Sequence, residues 1–473
     1  MKVYRILYSV VFFLILSIPL VGMLWYEQLE VTENKVLATF PEIMNEDGGW
    51  NVEYLSELEE YFSDHFAYRQ ELVTANADIM SRVFAQSSED LAIVGKDDWL
   101  YLKVTLGDYM GTNRMSERGI HNLGTILRLM QEYVEGQGKS FVFASAPNKN
   151  TLYPEYMPYY YKKSDKPSNL ERLTQRVKDS DLNYADLTAL FEGRDEVLYH
   201  TGDSHWNNYG AAMVADALLQ KTGTDHTDFT QYSCKMRDDF EGDIDKILYP
   251  LDRHTELEYD YSPYLSYVYI GIDDVTANTV ETAQEDGTGN GLSLLCFRDS
   301  FGNSLLPLLA QDFDSAKFCK AVPYRLDLMY TENRDVCIVE LVERNLVNLI
   351  KFSPVMTAPL RSIDAQTQEY TSKKIKFQNV EFEEYNKISG ILDAAYVADD
   401  SPIYVQFTNA DAQYTIEATP SDESSISGEP SDYGFTAYIG KTAFASGKYQ
   451  VDIITLQDNV YYKVNVSDNF LVQ

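Results

Sequence analysis

From Ile120 onward the chain alternates helical and strand-like apolar patterns, and this alternation restricts the fold more than any other feature. Ile120 to Val134 repeats apolar residues at helical spacing, and Ser140 to Ala146 is a short continuous apolar run. Asn169 to Asp179 and Tyr209 to Gln220 are helical again, and Asp335 to Leu341 is a second buried strand. Strands separated by helices in this way predict an α/β protein of three layers, a mostly parallel sheet with helices on both faces. Sites in such sheets lie beyond the carboxyl ends of strands. Two polar segments fall there: Ala146-Pro147-Asn148-Lys149 and Arg298-Asp299-Ser300-Phe301-Gly302.

The second segment carries the sharper signal. Leu292 to Phe297 is an apolar run and Asn303 to Gln311 a helical one, so Ser300 sits where a buried strand turns into a helix. The free N–H groups opening that helix make an anion site beside the hydroxyl, and the backbone of Phe301 and Gly302 supplies the expected oxyanion donors. A serine needs a base. The candidate is His205, in Gly202-Asp203-Ser204-His205-Trp206-Asn207. In an extended loop residues i and i+2 share a side, so Asp203 can hold the imidazole while its other nitrogen takes the Ser300 proton. Asn208 is expected to cap the next helix and Trp206 to pack beneath the loop.

Other readings remain open on the residues alone. Ser204 is a rival nucleophile, although the strand expected before it, Val197 to His200, is short and polar-ended. His200, Asp203 and His205 have a spacing that suits zinc, but no fourth ligand follows, and neither a metal nor a cofactor is assigned. Asn148 is either a further oxyanion donor or a local turn residue. Arg298 either binds substrate oxygens or pairs with Glu340 or Asp299, and Glu340 with Arg344 either brace the sheet's end or serve the site. Tyr153 opens an aromatic loop with Tyr156, Tyr159, Tyr160 and Tyr161, whose rings either stack on sugars or pack inward.

No charged residue interrupts Ile6 to Tyr26; Lys2 and Arg5 precede it and Glu27, Glu30 and Glu33 follow. That pattern predicts a single-pass transmembrane anchor over residues 6–26, preferred over a cleaved signal peptide, with the body outside the cytoplasm. A net charge of −34 argues against a nucleic-acid partner, because phosphates require the opposite field. Cys234, Cys296, Cys319 and Cys337 are too few and too scattered for a disulfide framework, so buried free thiols are expected. With an anchor at 1–26, residues 27–88 read as stem and helical lead-in and 89–365 as the catalytic domain. Within it Gly95-Lys96-Asp97-Asp98 is a hairpin turn, and 224–290 is an acidic excursion with one strand, Leu265 to Ile272. The short alternating runs of 366–473 predict a separate β-sandwich, for which carbohydrate binding is an expectation.

Taken together, these motifs resemble the DHHW family, membrane-anchored SGNH-hydrolase-like proteins related to the periplasmic alginate O-acetylation proteins. The resemblance rests on Glu33-Asn34-Lys35-Val36-Leu37, Asp64-His65-Phe66-Ala67-Tyr68-Arg69, Gly95-Lys96-Asp97-Asp98-Trp99-Leu100-Tyr101 and Ala146-Pro147-Asn148-Lys149. It continues through Tyr153-Pro154-Glu155, Gly202-Asp203-Ser204-His205-Trp206-Asn207, Phe240-Glu241-Gly242-Asp243, Arg298-Asp299-Ser300-Phe301-Gly302 and Val339-Glu340-Leu341-Val342-Glu343-Arg344. It implies an SGNH-like fold, a triad of Asp203, His205 and Ser300, and O-acetyl transfer to an exported polysaccharide. A multispanning membrane-bound O-acyltransferase is the implied acetyl donor. Glycan acetylesterase activity, and non-catalytic glycan binding in an assembly role, are the alternatives.

Overall fold

The computed structural model describes residues 2–23, 25, 38–45, 48–84, 86–251, 254–284, 288–363 and 365–472. The segment Glu33 to Leu37 and the acidic residues Glu27 and Glu30 lie outside them. The predicted anchor is helical over α1 (Lys2–Gly22), but the helix takes in Lys2 and Arg5 and contains Pro19. Among the described residues no helix is long and apolar enough to cross a membrane, and Leu24 and Tyr26 of the expected span over 6–26 lie outside them.

Two lead-in helices follow, α2 (Tyr54–Asp64) and α3 (Arg69–Phe84), then the hairpin β1 (Ala92–Val94) and β2 (Leu100–Leu102). Asp97 and Asp98 turn this hairpin with φ of 53° and 62°, in the left-handed region where Asp is among the better tolerated residues. Ala77 of α3 packs with Ala92, Leu100, Ile244 and Leu248, so the lead-in is seated on the segments that flank the site.

The α/β core runs α4 (Glu117–Glu135), β3 (Ser140–Ala146), α5 (Asn169–Val177), β4 (Tyr184–Ala185) and α6 (Asn208–Thr222). Then come β5 (Lys235–Glu241), α7 (Asp243–Leu248), β6 (Thr255–Asp260), β7 (Tyr267–Tyr269), β8 (Thr279–Gln284), β9 (Ser293–Phe297), α8 (Gly302–Ala310), β10 (Ser315–Cys319) and β11 (Val336–Val342). Side-chain caps start the helices: the Ser116 hydroxyl accepts from Gly119 N–H, Ser168 and Glu171 form a capping box, and Asn207 accepts from Gly210 N–H. Asn207, not Asn208, is therefore the cap of α6.

Seven strands form the main sheet in the order β4-β3-β11-β9-β10-β8-β7. The first five are parallel, and β8 and β7 join antiparallel at one edge. Ile338 lies opposite Val142 and Cys296, and this row packs against the apolar sides of α6 and α8. Cys337 and Val339, with Phe141, Phe143, Leu295 and Phe297, face the other way onto α4 and α5. Both faces are thus buried, which is why these strands read as continuous apolar runs.

The excursion 224–290 holds more order than its sequence implies: β5 and β6 pair as a hairpin, and β7 and β8 extend the sheet. The strands of the hairpin carry alternating charges and expose much of their length, so no apolar period marks them. Cys296, Cys319 and Cys337 are buried free thiols and Cys234 is half-buried.

Beyond residue 366 a five-stranded sheet (Thr367–Glu369, Val460–Val472, Gly447–Gln457, Tyr404–Thr408, Gln413–Glu417) faces a four-stranded one (Lys376–Phe382, Tyr385–Ile391, Gly434–Gly440, Thr419–Ser421). Ile388, Val405, Phe435, Tyr449 and Ile453 fill the space between them. The two bodies are tied by arginines: Arg118 of α4 is buried and donates to the carbonyls of Asp432 (2.9 Å) and Ala398 (2.7 Å). Arg361 clasps Glu132 through both terminal nitrogens (2.6 Å each) and Glu417 through Nε (2.8 Å).

Candidate active site

Ser300 lies in the turn from β9 to α8. Asp203 and His205 lie in a tight loop whose ends are joined by Asn207 N–H donating to the Leu198 carbonyl at 2.8 Å. This loop closes over Phe301: the rings of Trp206 (4.9 Å), His205 (4.8 Å) and Tyr199 (5.9 Å) surround the Phe301 ring. The burial of Phe301 thus sets the distance between the loop and the serine turn. His205 Nε2 is 2.8 Å from Ser300 Oγ, and Nδ1 is 2.6 Å from Asp203 Oδ1. A proton on Nδ1 donated to Asp203 leaves Nε2 free to accept from Ser300.

Asp203 is held as an anion. Burial would raise its pKa, but the His205 charge and hydrogen bond, together with the N–H groups of Asp243 (2.7 Å, to Oδ2) and His205 (2.8 Å, to Oδ1), pull it well below the usual carboxylate range. For His205 burial works downward and Asp203 upward; the partner wins, and the imidazole pKa lies above its ordinary value.

Asp243 was not nominated from sequence, although its segment Phe240-Glu241-Gly242-Asp243 was noted. Its Oδ1 accepts Ser204 N–H (2.8 Å) and its Oδ2 the Ser204 hydroxyl (2.6 Å). Ser204 therefore sits on the Nδ1 side of the imidazole, 3.3 Å away, while Ser300 faces Nε2. Burial and the charge of Asp203 push the Asp243 carboxyl upward.

Two buried cations brace the same loop. Lys149 Nζ donates to the carbonyls of Leu100 (2.7 Å), Thr201 (2.6 Å) and Asp203 (2.9 Å) and lies over the rings of Trp99 and Tyr101. Burial lowers its pKa to about 7 against the pull of Asp203, Glu256 and Asp243. His200 stacks on Phe240 (3.7 Å) and pairs with Glu258 at 2.9 Å. Burial disfavours its charge, but Glu256 and Glu258 outweigh that and raise its pKa to about 9. Those glutamates accept from Thr201, Gly202 and Asn208 N–H, so the β5–β6 hairpin holds the loop through its backbone. His200 is committed to this hairpin and shares no cluster with Asp203 and His205. Among the described residues, Asp203, His205 and Asp243 are the group whose donor atoms come within 4.8 Å of one another.

Several nominated residues have other employment. Phe301 N–H donates to Asp299 Oδ1 (2.9 Å) and so is not a free oxyanion donor, whereas no acceptor is shown for the Gly302 N–H at the start of α8 among the described residues. Asn148 is buried; its Nδ2 donates to Asp108 (3.0 Å) and its N–H to Glu343 (3.0 Å), so it joins an acidic network behind the strand ends. Arg298 is buried and donates to Asn303 Oδ1 and the Val275 carbonyl, both at 2.6 Å, and among the described residues it forms no ion pair with Glu340 or Asp299. Tyr153 takes Leu198 N–H on its hydroxyl and packs between Trp99 and Tyr199. A cavity of about 1570 Å³ lies between α4 and α5 and is lined by Asp108, His121, Thr151 and Arg172, without a triad residue.

Residues 92–276 match the family model of the SGNH hydrolase-like domain of acetyltransferase AlgX, a stretch that includes Asp203, His205 and Asp243 and ends before Ser300. A curated relative, a probable alginate O-acetylase AlgJ of Pseudomonas syringae pathovar tomato, is 25% identical over 176 residues, 36% of this chain and 42% of the relative. The match thus spans less than half of that relative's length. Among solved structures, Bacillus cereus PatB1 aligns with 16% identity and a TM-score of 0.43 over 55% of this chain and 97% of its own. A DHHW family protein from Eubacterium siraeum aligns with 17% identity and a TM-score of 0.40 over 54% and 95%. The resemblance to the SGNH-like alginate O-acetylation proteins and its α/β fold stand on the matched segment.

Proposed function

We propose that this protein is a serine O-acetyltransferase that modifies a cell-surface or exported polysaccharide through an acetyl-enzyme on Ser300. The observation that carries the proposal is the pair of contacts, 2.8 Å and 2.6 Å, that His205 makes with Ser300 and Asp203. With Nε2 accepting the hydroxyl proton, Ser300 Oγ attacks the acetyl carbonyl, and the imidazolium, stabilised by Asp203, returns that proton to the leaving group. In the second half a sugar hydroxyl gives its proton to His205, attacks the acetyl-enzyme and frees Ser300. The named similarity to AlgX and AlgJ domains supports a sugar acceptor.

Hydrolysis by the same three side chains is the second reading, favoured wherever water reaches the acetyl-enzyme before an acceptor. The exposed apolar side chains of α1, among them Phe13, Leu14 and Ile15, favour membrane association of the N-terminus and an extracytoplasmic body. An acetyl-exporting membrane acyltransferase completes this proposal as donor, and residues 366–473 join it as a carbohydrate-binding module.

The test is incubation of the purified protein with an activated acetyl ester and candidate oligosaccharides. Transfer adds an acetyl mass to the sugar; free acetate with unchanged sugar mass assigns the protein to the esterases. Neither product, with Ser300 unmodified, rejects both readings.

A further inference from the structure

The other cations around Ser300 are committed: Lys149 to three carbonyls, Arg298 to Asn303 and the Val275 carbonyl, His200 to Glu258. Arg344 is not. It is half-buried, follows β11, and makes neither a hydrogen bond nor an ion pair among the described residues, although Glu340 and Glu343 are close in sequence. Its guanidinium lies 5.4 Å from the centre of the Phe301 ring, the residue after the nucleophile.

The turn that carries it is fixed to the serine turn. Asp299 Oδ2, one residue before Ser300, accepts Val342 N–H (2.8 Å) and Asn345 Nδ2 (2.7 Å), so both flanks of Arg344 are tied to the side chain of the residue that precedes the nucleophile. Arg344 also reaches the general base electrically, opposing protonation of His205. A planar guanidinium on a tied turn, partly shielded from water and in no ion pair, though Asp108 and Glu340 feel its charge, is a ready donor to an anionic oxygen. Asp299 has taken the Phe301 N–H, so the serine turn offers an oxyanion one backbone donor fewer.

We infer that Arg344 is a catalytic residue that binds the acyl oxygen of the ester and stabilises its negative charge in the tetrahedral intermediate, together with the Gly302 N–H. This rests on Ser300 being the nucleophile. In the step, the Ser300 Oγ–carbon bond forms as the hydroxyl proton passes to His205, and the carbonyl π electrons move onto the oxygen facing Arg344. When they return, the bond to the leaving alkoxide breaks and the alkoxide takes the proton from His205. Arg344 exchanges no proton.

The test is the acetylation rate of Ser300 in the full chain with 4-nitrophenyl acetate, read by nitrophenolate release and by the mass of the Ser300 peptide. Loss of one oxyanion donor typically costs about 100-fold or more in rate, so Arg344→Gln is expected to acetylate about 100-fold more slowly. Its pH profile should shift its acid limb upward, because a charge opposing His205 protonation is gone. Added methylguanidinium is expected to restore part of the rate to Arg344→Ala. Acetylation of Arg344→Gln within threefold of the parent, or no rescue at any concentration, overturns the inference. Where the Gln variant does not fold, Arg344→Lys decides: it should acetylate about tenfold more slowly, and parental speed contradicts the assignment. A parent protein that leaves Ser300 unacetylated counts against the nucleophile itself, a result distinct from a fast Arg344 variant.

Discussion

Ser300 and Ser204 flank one imidazole, and their different partners give them different fates on mutation. Ser300→Ala is expected to remove acetyl transfer, whereas Ser204→Ala, which loses only its contacts to Asp243 and Nδ1, should keep most of it; the reverse pattern in an activity assay would reassign the nucleophile. Asp203→Asn should lower kcat by about 10⁴, because an amide favours the wrong imidazole tautomer. The base must be neutral to act, and its folded pKa is raised. The acid limb of kcat/KM should therefore fall above the ordinary histidine value of about 6.5, and a limb at or below it would contradict the geometry. His200 gives a stability prediction of its own. Its pKa rises from 6.5 to about 9 on folding, so its contribution is complete below pH 6.5 and is lost as pH rises through about 9. Parent and His200→Gln should differ by on the order of 3 kcal/mol at pH 6 and converge by pH 10 in denaturant titrations. Sequence marked Ser300, His205 and Asp203 because a strand-to-helix turn and an Asp-x-His loop carry their roles locally. It did not mark Asp243, Glu256 or Glu258, whose roles exist only once the acidic hairpin folds back onto the loop.

At the scale of elements, two glycines show how closely the site segments are packed. A Cβ on Gly242 would run into the Gly202 carbonyl oxygen and lie 2.9 Å from Asp203 N, both backbone, so Gly242→Ala must push α7 off the triad loop. We expect a loss of at least tenfold in kcat together with lower thermal stability; an unchanged kcat would show that the Asp243 contacts are dispensable. A Cβ on Gly302 would lie 2.6 Å from Arg298 Cδ, and because Arg298 is itself pinned, the serine turn must give instead. The strands β3, β9 and β11 were legible because burial on both faces makes them uniformly apolar. Strands β5 and β6 were not, since half-exposed acidic strands have no hydrophobic period to read.

In the whole molecule, the β-sandwich is clamped to the α/β body by charged side chains on α4, a surface that local patterns do not announce. Arg118 is buried against the Asp432 and Ala398 carbonyls, and although Asn122 Nδ2 and Ser401 N–H still donate to them, removing it takes away two charged hydrogen bonds between the bodies. Arg118→Met is therefore expected to split one calorimetric unfolding transition into two; a single transition at the parent temperature would mean the clamp contributes nothing. The alternating strands of 366–473 were readable from their turns, whereas their seat against α4 depends on residues hundreds of positions apart. Across all three scales the central claim is that the fold delivers Ser300 to a poised imidazole. Mass spectrometry of the full chain after a pulse of activated acetyl ester tests it most directly. The account predicts one acetyl group, mapped to Ser300 and absent from Ser300→Ala and His205→Ala; acetylation elsewhere, or a Ser300 adduct indifferent to His205, would contradict it.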